Sequence, residues 1–260
     1  METKVYIVAG GPGDSELITL KGQRIIDNAD LIFYSTRFTQ QEMFSNTKSC
    51  CKFYDNFAFS YDEKLQLVKE AVRKKQITVF VTMGDPCLYG MIGGLTDRLE
   101  KEKIYYEIIP GVSSVNASTA LIKRGMTGLG LSNTAICTTL RDRQDAEEYF
   151  DRVAALGASL AIFMSVEILD KVIDILKKHY PMSTPVVVIS RATWEEQQIA
   201  QGNLLTISDL VLQQKITDGL ILVGEFIDKE YDYVLEKEFM ERKELEKAQR
   251  ATAEQGEFRK

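Results

Sequence analysis

Residues 79–114 read VFVTMGDPCLYGMIGGLTDRLEKEKIYYEIIPGVSS. The spacing predicts a buried strand over 77–81, a turn at Met83-Gly84-Asp85-Pro86 and a helix. A second strand over 104–109 and a further turn at Pro110-Gly111 follow. Short apolar runs bounded by Gly and Pro are the pattern of parallel strands buried on both faces. Each turn then lies at the carboxyl end of its strand, where open α/β sheets hold their ligands. The expected site is therefore a pocket built from the backbone of two neighbouring strand ends.

Towards the N-terminus, residues 5–9 form a first short strand that ends in Gly10-Gly11-Pro12-Gly13-Asp14. That spacing is not the dinucleotide pattern GxGxxG, and no P-loop Lys and Ser/Thr follow it. Pro12 fixes φ and lacks a donor, which makes the loop stiffer than a phosphate cradle. Asp14 or Ser15 is placed to cap a helix whose apolar positions Leu17, Leu20, Ile25 and Ile26 fit one face. A second strand over 29–34 ends in Ser35-Thr36-Arg37, and after an irregular stretch an amphipathic helix covers 61–75. The β-α-β-α-β alternation through Ile109 describes a parallel sheet of about five strands. It would close a first domain over residues 1–111.

A helix over 113–123 opens a second α/β domain, expected over 112–228. Its strands are predicted at 134–138, 160–164, 186–190 and 220–223, with helices at 166–178 and 204–214. No low-complexity linker separates the two units, so they should pack closely around a cleft. From Asp228 acids and bases alternate, which suits a solvated helical extension over 229–260 held by weak i,i+4 pairs. Leu235 and Phe239 are placed to dock it, and no catalytic role is expected of it.

Bulk chemistry narrows the function. Lys and Arg number 32 against 38 Asp and Glu, a net charge of −6. That argues against a nucleic-acid partner, whose phosphates need cations. The apolar runs are strand-sized, so no membrane span is expected, and a strand that begins at once leaves no room for a signal peptide. Four cysteines without CxxC spacing (Cys50, Cys51, Cys87, Cys137) suit a reduced, cytoplasmic protein. The single histidine, His179, excludes a multi-histidine metal site. No metal is expected, and the chemistry should need little proton transfer.

Together, GGPGD (10–14), MGDPCLYG (83–90) and PGVSS (110–114) resemble the tetrapyrrole methylase family. Its members are S-adenosylmethionine-dependent methyltransferases of corrin and sirohaem synthesis. Ala161-Ile162-Phe163-Met164-Ser165-Val166 and Ile189-Ser190-Arg191-Ala192-Thr193-Trp194-Glu195 are similar to the branch that methylates C11 of precorrin-4 on the route to cobalamin. The resemblance covers residues 4–227. It implies two α/β domains with the cofactor, S-adenosylmethionine, in the cleft between them. It also implies a homodimer and a tetrapyrrole substrate, either bare or carrying cobalt. By motif position, Pro12 would line the cofactor pocket. Met83, Gly84, Asp85 and Leu88 would wrap its amino-acid and ribose end, with Ser113 and Ser114 beside them. Met164 and Ala192 would bracket the adenine, and Gly202 would close that side.

A tetrapyrrole carries many carboxylates, which guanidinium forks match. Arg191, at a predicted strand end, is the first substrate-binding candidate, followed by Arg37, Arg141 and Arg124. A sulfonium is already an activated methyl donor, and a pyrrole-derived enamine carbon is already a nucleophile. No catalytic base is therefore expected, and the protein supplies alignment. In-line placement alone is worth ~7–11 kcal/mol of barrier. The sequence departs from the C11 branch at Ser35-Thr36-Arg37-Phe38, Gly125-Met126-Thr127, Asn133-Thr134 and Thr138-Thr139, segments expected to face the substrate. These departures keep open a sister precorrin or uroporphyrinogen methylase, a member acting on protein or RNA, and a cofactor-binding homologue without activity.

Overall fold

The computed structural model describes residues 5–141 and 144–257. Strands β1 (Val5–Ala9), β2 (Leu31–Tyr34), β3 (Lys52–Asp55), β4 (Thr78–Thr82) and β5 (Tyr106–Ile109) form an all-parallel sheet in the order β3-β2-β4-β1-β5. Helix α1 (Leu20–Asp27) covers one face, where Ile26 packs with Val8, Ile32, Val79 and Val81. Helices α2 (Tyr61–Arg73) and α3 (Gly93–Lys101) cover the other, where Val68 and Leu99 meet Ile7, Phe33 and Phe80. Strand β1 leads through α1 to β2 on one side, and its neighbour β4 leads through α3 to β5 on the other. The chain thus leaves these adjacent strands over opposite faces, and their carboxyl ends are the switch point at which such sheets bind ligands.

The second sheet contains β6 (Ala135–Thr139), β7 (Ser159–Phe163), β8 (Pro185–Ser190), β9 (Gln198–Asn203) and β10 (Leu220–Val223), in the order β6-β7-β10-β8-β9. It is mixed: β6 and β7 run parallel, while β10 is antiparallel to both its neighbours and β9 to β8. Helix α4 (Ser114–Leu121), the short turn Glu225–Ile227 and Leu88 from the first half cover one face. Helices α5 (Ala146–Ala154), α6 (Leu169–Leu176) and α7 (Ile207–Gln213) bury Phe150, Leu176 and Ile207 against the other. A final helix, α8 (Tyr233–Glu257), follows, with Leu235 set against Gly130.

Several elements depart from expectation for identifiable reasons. Strand β3 lies in the stretch that reads as irregular, because it is a sheet edge with Lys52 and Phe53 facing solvent and carries no apolar run. Strand β9, QIAQGN, is a polar edge strand that escaped for the same reason and displaces the start of the 204–214 helix to Ile207. The helix expected after Asp14 is broken. Asp14 caps only the turn Ser15–Leu17, the chain extends at Ile18, and Thr19 accepts from Gly22 N to start α1. Leu20, assigned to the buried face, is 83 % exposed. Helix α5 was not anticipated.

Candidate functional site

In the first sheet Ala9 pairs with Thr82 and Val8 with Ile109, so three strands end side by side. Gly10 N donates to Thr82 O at 2.7 Å. Gly11 and Gly84 then exchange backbone hydrogen bonds, Gly84 N to Gly11 O at 2.8 Å and Gly11 N to Gly84 O at 3.3 Å. Both sit in the left-handed region, at φ +76° and +64°, which glycine reaches at no steric cost. Asp85 ties in the third turn: Oδ1 accepts from Cys87 N and Oδ2 from Gly111 N, each at 2.8 Å. A Cβ on Gly111 would stand 2.5 Å from Ala9 Cβ, so only glycine lets these strand ends approach so closely.

These turns wall a cavity of about 350 Å³ at the junction of the two sheets. Its far wall comes from the ends of β7 and β8 and the start of β10: Met164, Ala192 and Trp194, with residues 217–220. Met164 is 39 % exposed, which marks it as a cavity residue rather than core. Tyr89 crosses from the first half and stacks on Phe163, ring centroids 4.4 Å apart. Backbone strain concentrates here. Among the described residues nine non-glycines have positive φ; four are lysines just past the ends of α2, α3, α4 and α7, the usual left-handed helix stop. Of the other five, Tyr89, Met164 and Arg191 line the cavity, and Thr193 lies between two residues that do. Strained backbone of this kind gathers where a ligand is gripped.

A family model described as Tetrapyrrole (Corrin/Porphyrin) Methylases matches residues 4–208. The chain belongs to the tetrapyrrole methylase family. It is 35 % identical over 232 residues to the cobalt-precorrin-4 C(11)-methyltransferase of Methanocaldococcus jannaschii, covering 88 % of this chain and 90 % of that one. It is 34 % identical over 229 residues to the precorrin-4 C(11)-methyltransferase of Pseudomonas aeruginosa, covering 87 % and 91 %. The X-ray structure of a cobalt precorrin-4 methyltransferase superposes with a TM-score of 0.82 at 28 % identity, over 86 % of this chain and 96 % of that one.

In this methylase the cavity gathers most of the residues singled out by motif. Pro12, Met83, Gly84, Asp85, Leu88, Ser113 and Ser114 line it from the first sheet and its exit into α4, and Met164 and Ala192 line it from the second. Gly202 does not. It lies in edge strand β9 opposite Val186, and the space beside it is filled by Thr206 and Leu210, so that assignment is corrected. Arg37, Arg141 and Arg191 all reach the cavity. Arg124 is a strut instead, donating from Nε to Ile227 O at 3.2 Å. Segments 125–127, 133–134 and 138–139, expected to face the substrate, are absent from the cavity wall.

Two of the arginines are already engaged. Arg37 pairs with Asp218 at 3.6 Å, and Asp218 also accepts from Ser190 Oγ at 2.7 Å. Arg141 pairs with Glu167. Arg191 stacks over the Trp194 ring at 5.4 Å. Sequence reasoning missed Asp218 and Glu167, whose loops carry no signal beyond their strand ends, and gave Trp194 no role although it lies in the quoted 189–195 segment. It also missed Ser118, whose Oγ is fully buried at the cavity without a hydrogen-bond partner. His179 lies elsewhere, against Asp151, and lowers that carboxyl's pKa by hydrogen bonding. Among the described residues no cluster of His, Cys, Asp and Glu could hold a metal, and no helix is long and apolar enough to cross a membrane.

Proposed function

We propose that this methylase transfers a methyl group from S-adenosylmethionine to C11 of precorrin-4, or of its cobalt form, in cobalamin synthesis. The observation that carries this reading is the single cavity wall made of three hydrogen-bonded strand-end turns facing an apolar slot at Met164 and Ala192. The residues suit the cofactor. Glycine backbone permits close approach, the buried unpartnered Ser118 Oγ awaits a polar group, and the two apolar side chains suit an adenine face. Pro12, Met83, Gly84, Asp85, Leu88, Ser113 and Ser114 would hold the amino-acid and ribose end. When bound, the cofactor supplies an activated methyl group on a sulfonium. The chain's part is to fix the acceptor carbon in line with that methyl and to exclude water.

The tetrapyrrole carboxylates would be received by Arg37, Arg141 and Arg191. The ion pairs of Arg37 and Arg141 are partly exposed, and such pairs are worth only ~0–1 kcal/mol. A substrate carboxylate can therefore replace Asp218 or Glu167 at little cost. The same reading divides the chain into domains 1–111 and 112–228 with an appended helix, and makes it a cytoplasmic homodimer.

Calorimetric titration with S-adenosylhomocysteine, the demethylated product, tests the cavity. Saturable binding of one ligand per chain is expected, weakened about tenfold or more in Asp85→Ala, which frees the Cys87 and Gly111 amides. Absence of binding at millimolar ligand would sink the reading. Incubation with precorrin-4 and labelled methyl donor, with the product's methyl position read by NMR, then separates C11 transfer from a sister methylase and from an inactive cofactor binder.

A further inference from the structure

Besides the Arg37–Asp218 ion pair and the Tyr89–Phe163 stack, the two halves of the cavity are joined by hydrogen bonds between residues 179 and 182 positions apart. Trp194 Nε1 donates to Pro12 O at 3.0 Å, and Asp14 N donates to Thr193 Oγ1 at 2.9 Å. The indole lies directly against the loop. A Cβ on Gly13 would stand 2.4 Å and 2.5 Å from its Cδ1 and Nε1, and 2.7 Å from Ala192 O. Gly10 and Gly11 anchor the start of this loop to Thr82 and Gly84. Pro12, which has no N–H of its own, offers only its carbonyl, and Trp194 takes it.

The docking turn is not a relaxed one. Arg191 and Thr193 sit at φ 47° and 70°, and a β-branched residue there is a genuine outlier. Internal bonds from Thr193 N to Gln197 Oε1 and from Trp194 N to Arg191 O brace it. Such strain persists only where surrounding contacts over-determine it. Here those contacts run across the cleft. The connection continues from Pro12 through the Gly11–Gly84 bridge to Asp85 and Gly111, so one chain of hydrogen bonds links both walls of the cavity.

We propose that the turn at 191–194 is a clasp that sets the spacing of the cavity walls before any ligand arrives. Trp194, by holding Pro12 O, is then a positioning residue for cofactor binding; this rests on the reading of the cavity given above. Walls held in place beforehand spare the ligand the cost of ordering them. Trp194→Phe keeps an aromatic ring and deletes only the N–H and the second ring. Thr193→Val keeps the branch and deletes the acceptor, whereas Thr193→Asn keeps an acceptor in a residue tolerant of this backbone.

The test is calorimetric titration of the 260-residue chain and these three variants with S-adenosylhomocysteine, well below the melting range, alongside thermal melts of the ligand-free proteins. The expected result is affinity about five- to tenfold weaker in Trp194→Phe and in Thr193→Val, with restoration to within about twofold in Thr193→Asn. A clasp that served folding alone would lower the ligand-free melting temperature and leave the affinities equal; equal affinities overturn the proposal. Thr193→Val and Thr193→Asn decide it alone should Trp194→Phe fail to fold. Failure of the unaltered chain to bind removes the cofactor reading and the clasp with it.

Discussion

Asp85 bears two loads at once: its carboxylate braces the second turn against the third, and it faces the cavity. Motif position marked it as a ligand group, but the cross-turn bracing depends on Gly111, 26 residues away, and no local spacing reveals that. Met164 and Ala192 were likewise legible only through resemblance, since an isolated Met or Ala at a strand end reads as core. Gly202 was misread because nothing in Gln201-Gly202-Asn203 tells an edge strand from a ligand loop. Away from the site, Tyr180 offers a test of burial. Its hydroxyl donates to Ala158 O at 2.7 Å, and burial pushes the phenol up to about 12 from 10.0. The unfolded chain loses this proton first, so stability should fall as pH rises between those values. Tyr180→Phe should lose about 1 kcal/mol near neutrality, from the missing hydrogen bond, and show a flatter profile in the alkaline window. Urea titrations at neutral and alkaline pH measure both.

At the level of elements, local chemistry decided boundaries wherever caps were present. Helix α2 begins at Tyr61 as expected because Ser60 and Glu63 form a reciprocal box. Ser60 Oγ accepts from Glu63 N, while Glu63 Oε2 accepts from Ser60 N at 2.8 Å and from Ser60 Oγ at 2.7 Å. Replacing the cap by Ser60→Ala should destabilise the protein by about 1 kcal/mol. The Ser60 hydrogen bonds also hold the Glu63 carboxyl below its ordinary 4.5. That contribution is present above the ordinary value and lost as pH falls through the lowered one. The stability deficit of Ser60→Ala should therefore shrink in acid, which denaturant midpoints across acidic pH would reveal; a deficit constant with pH would refute the pairing. Strands β3 and β9 escaped notice because an edge strand bonds on one side only and can carry Lys, Gln and Asn outward. The 15–27 region failed differently: two caps, Asp14 and Thr19, compete within six residues, and the chain uses both.

Over the whole molecule, every cavity residue lies at or before Leu220, so α8 stands outside the site. Ending the chain at Glu230, after Lys229 has bonded Gly130 O, should change S-adenosylhomocysteine affinity by no more than about twofold. Calorimetry checks this, and a tenfold loss would give the helix a role in the site. The amino-acid sequence by itself determined the parallel first sheet, the second α/β unit and the positions of the three turns, because these rest on hydrophobic period and glycine placement readable within a few residues. The family was legible through the resemblance of the three turn motifs. Only the tertiary structure decided which strands are edges, that β10 runs antiparallel at the centre of its sheet, which arginines meet carboxylates, and that Trp194 lies on Gly13. Those are contacts between residues far apart in the chain. Their existence depends on how two packed sheets approach one another, and no local pattern records that distance.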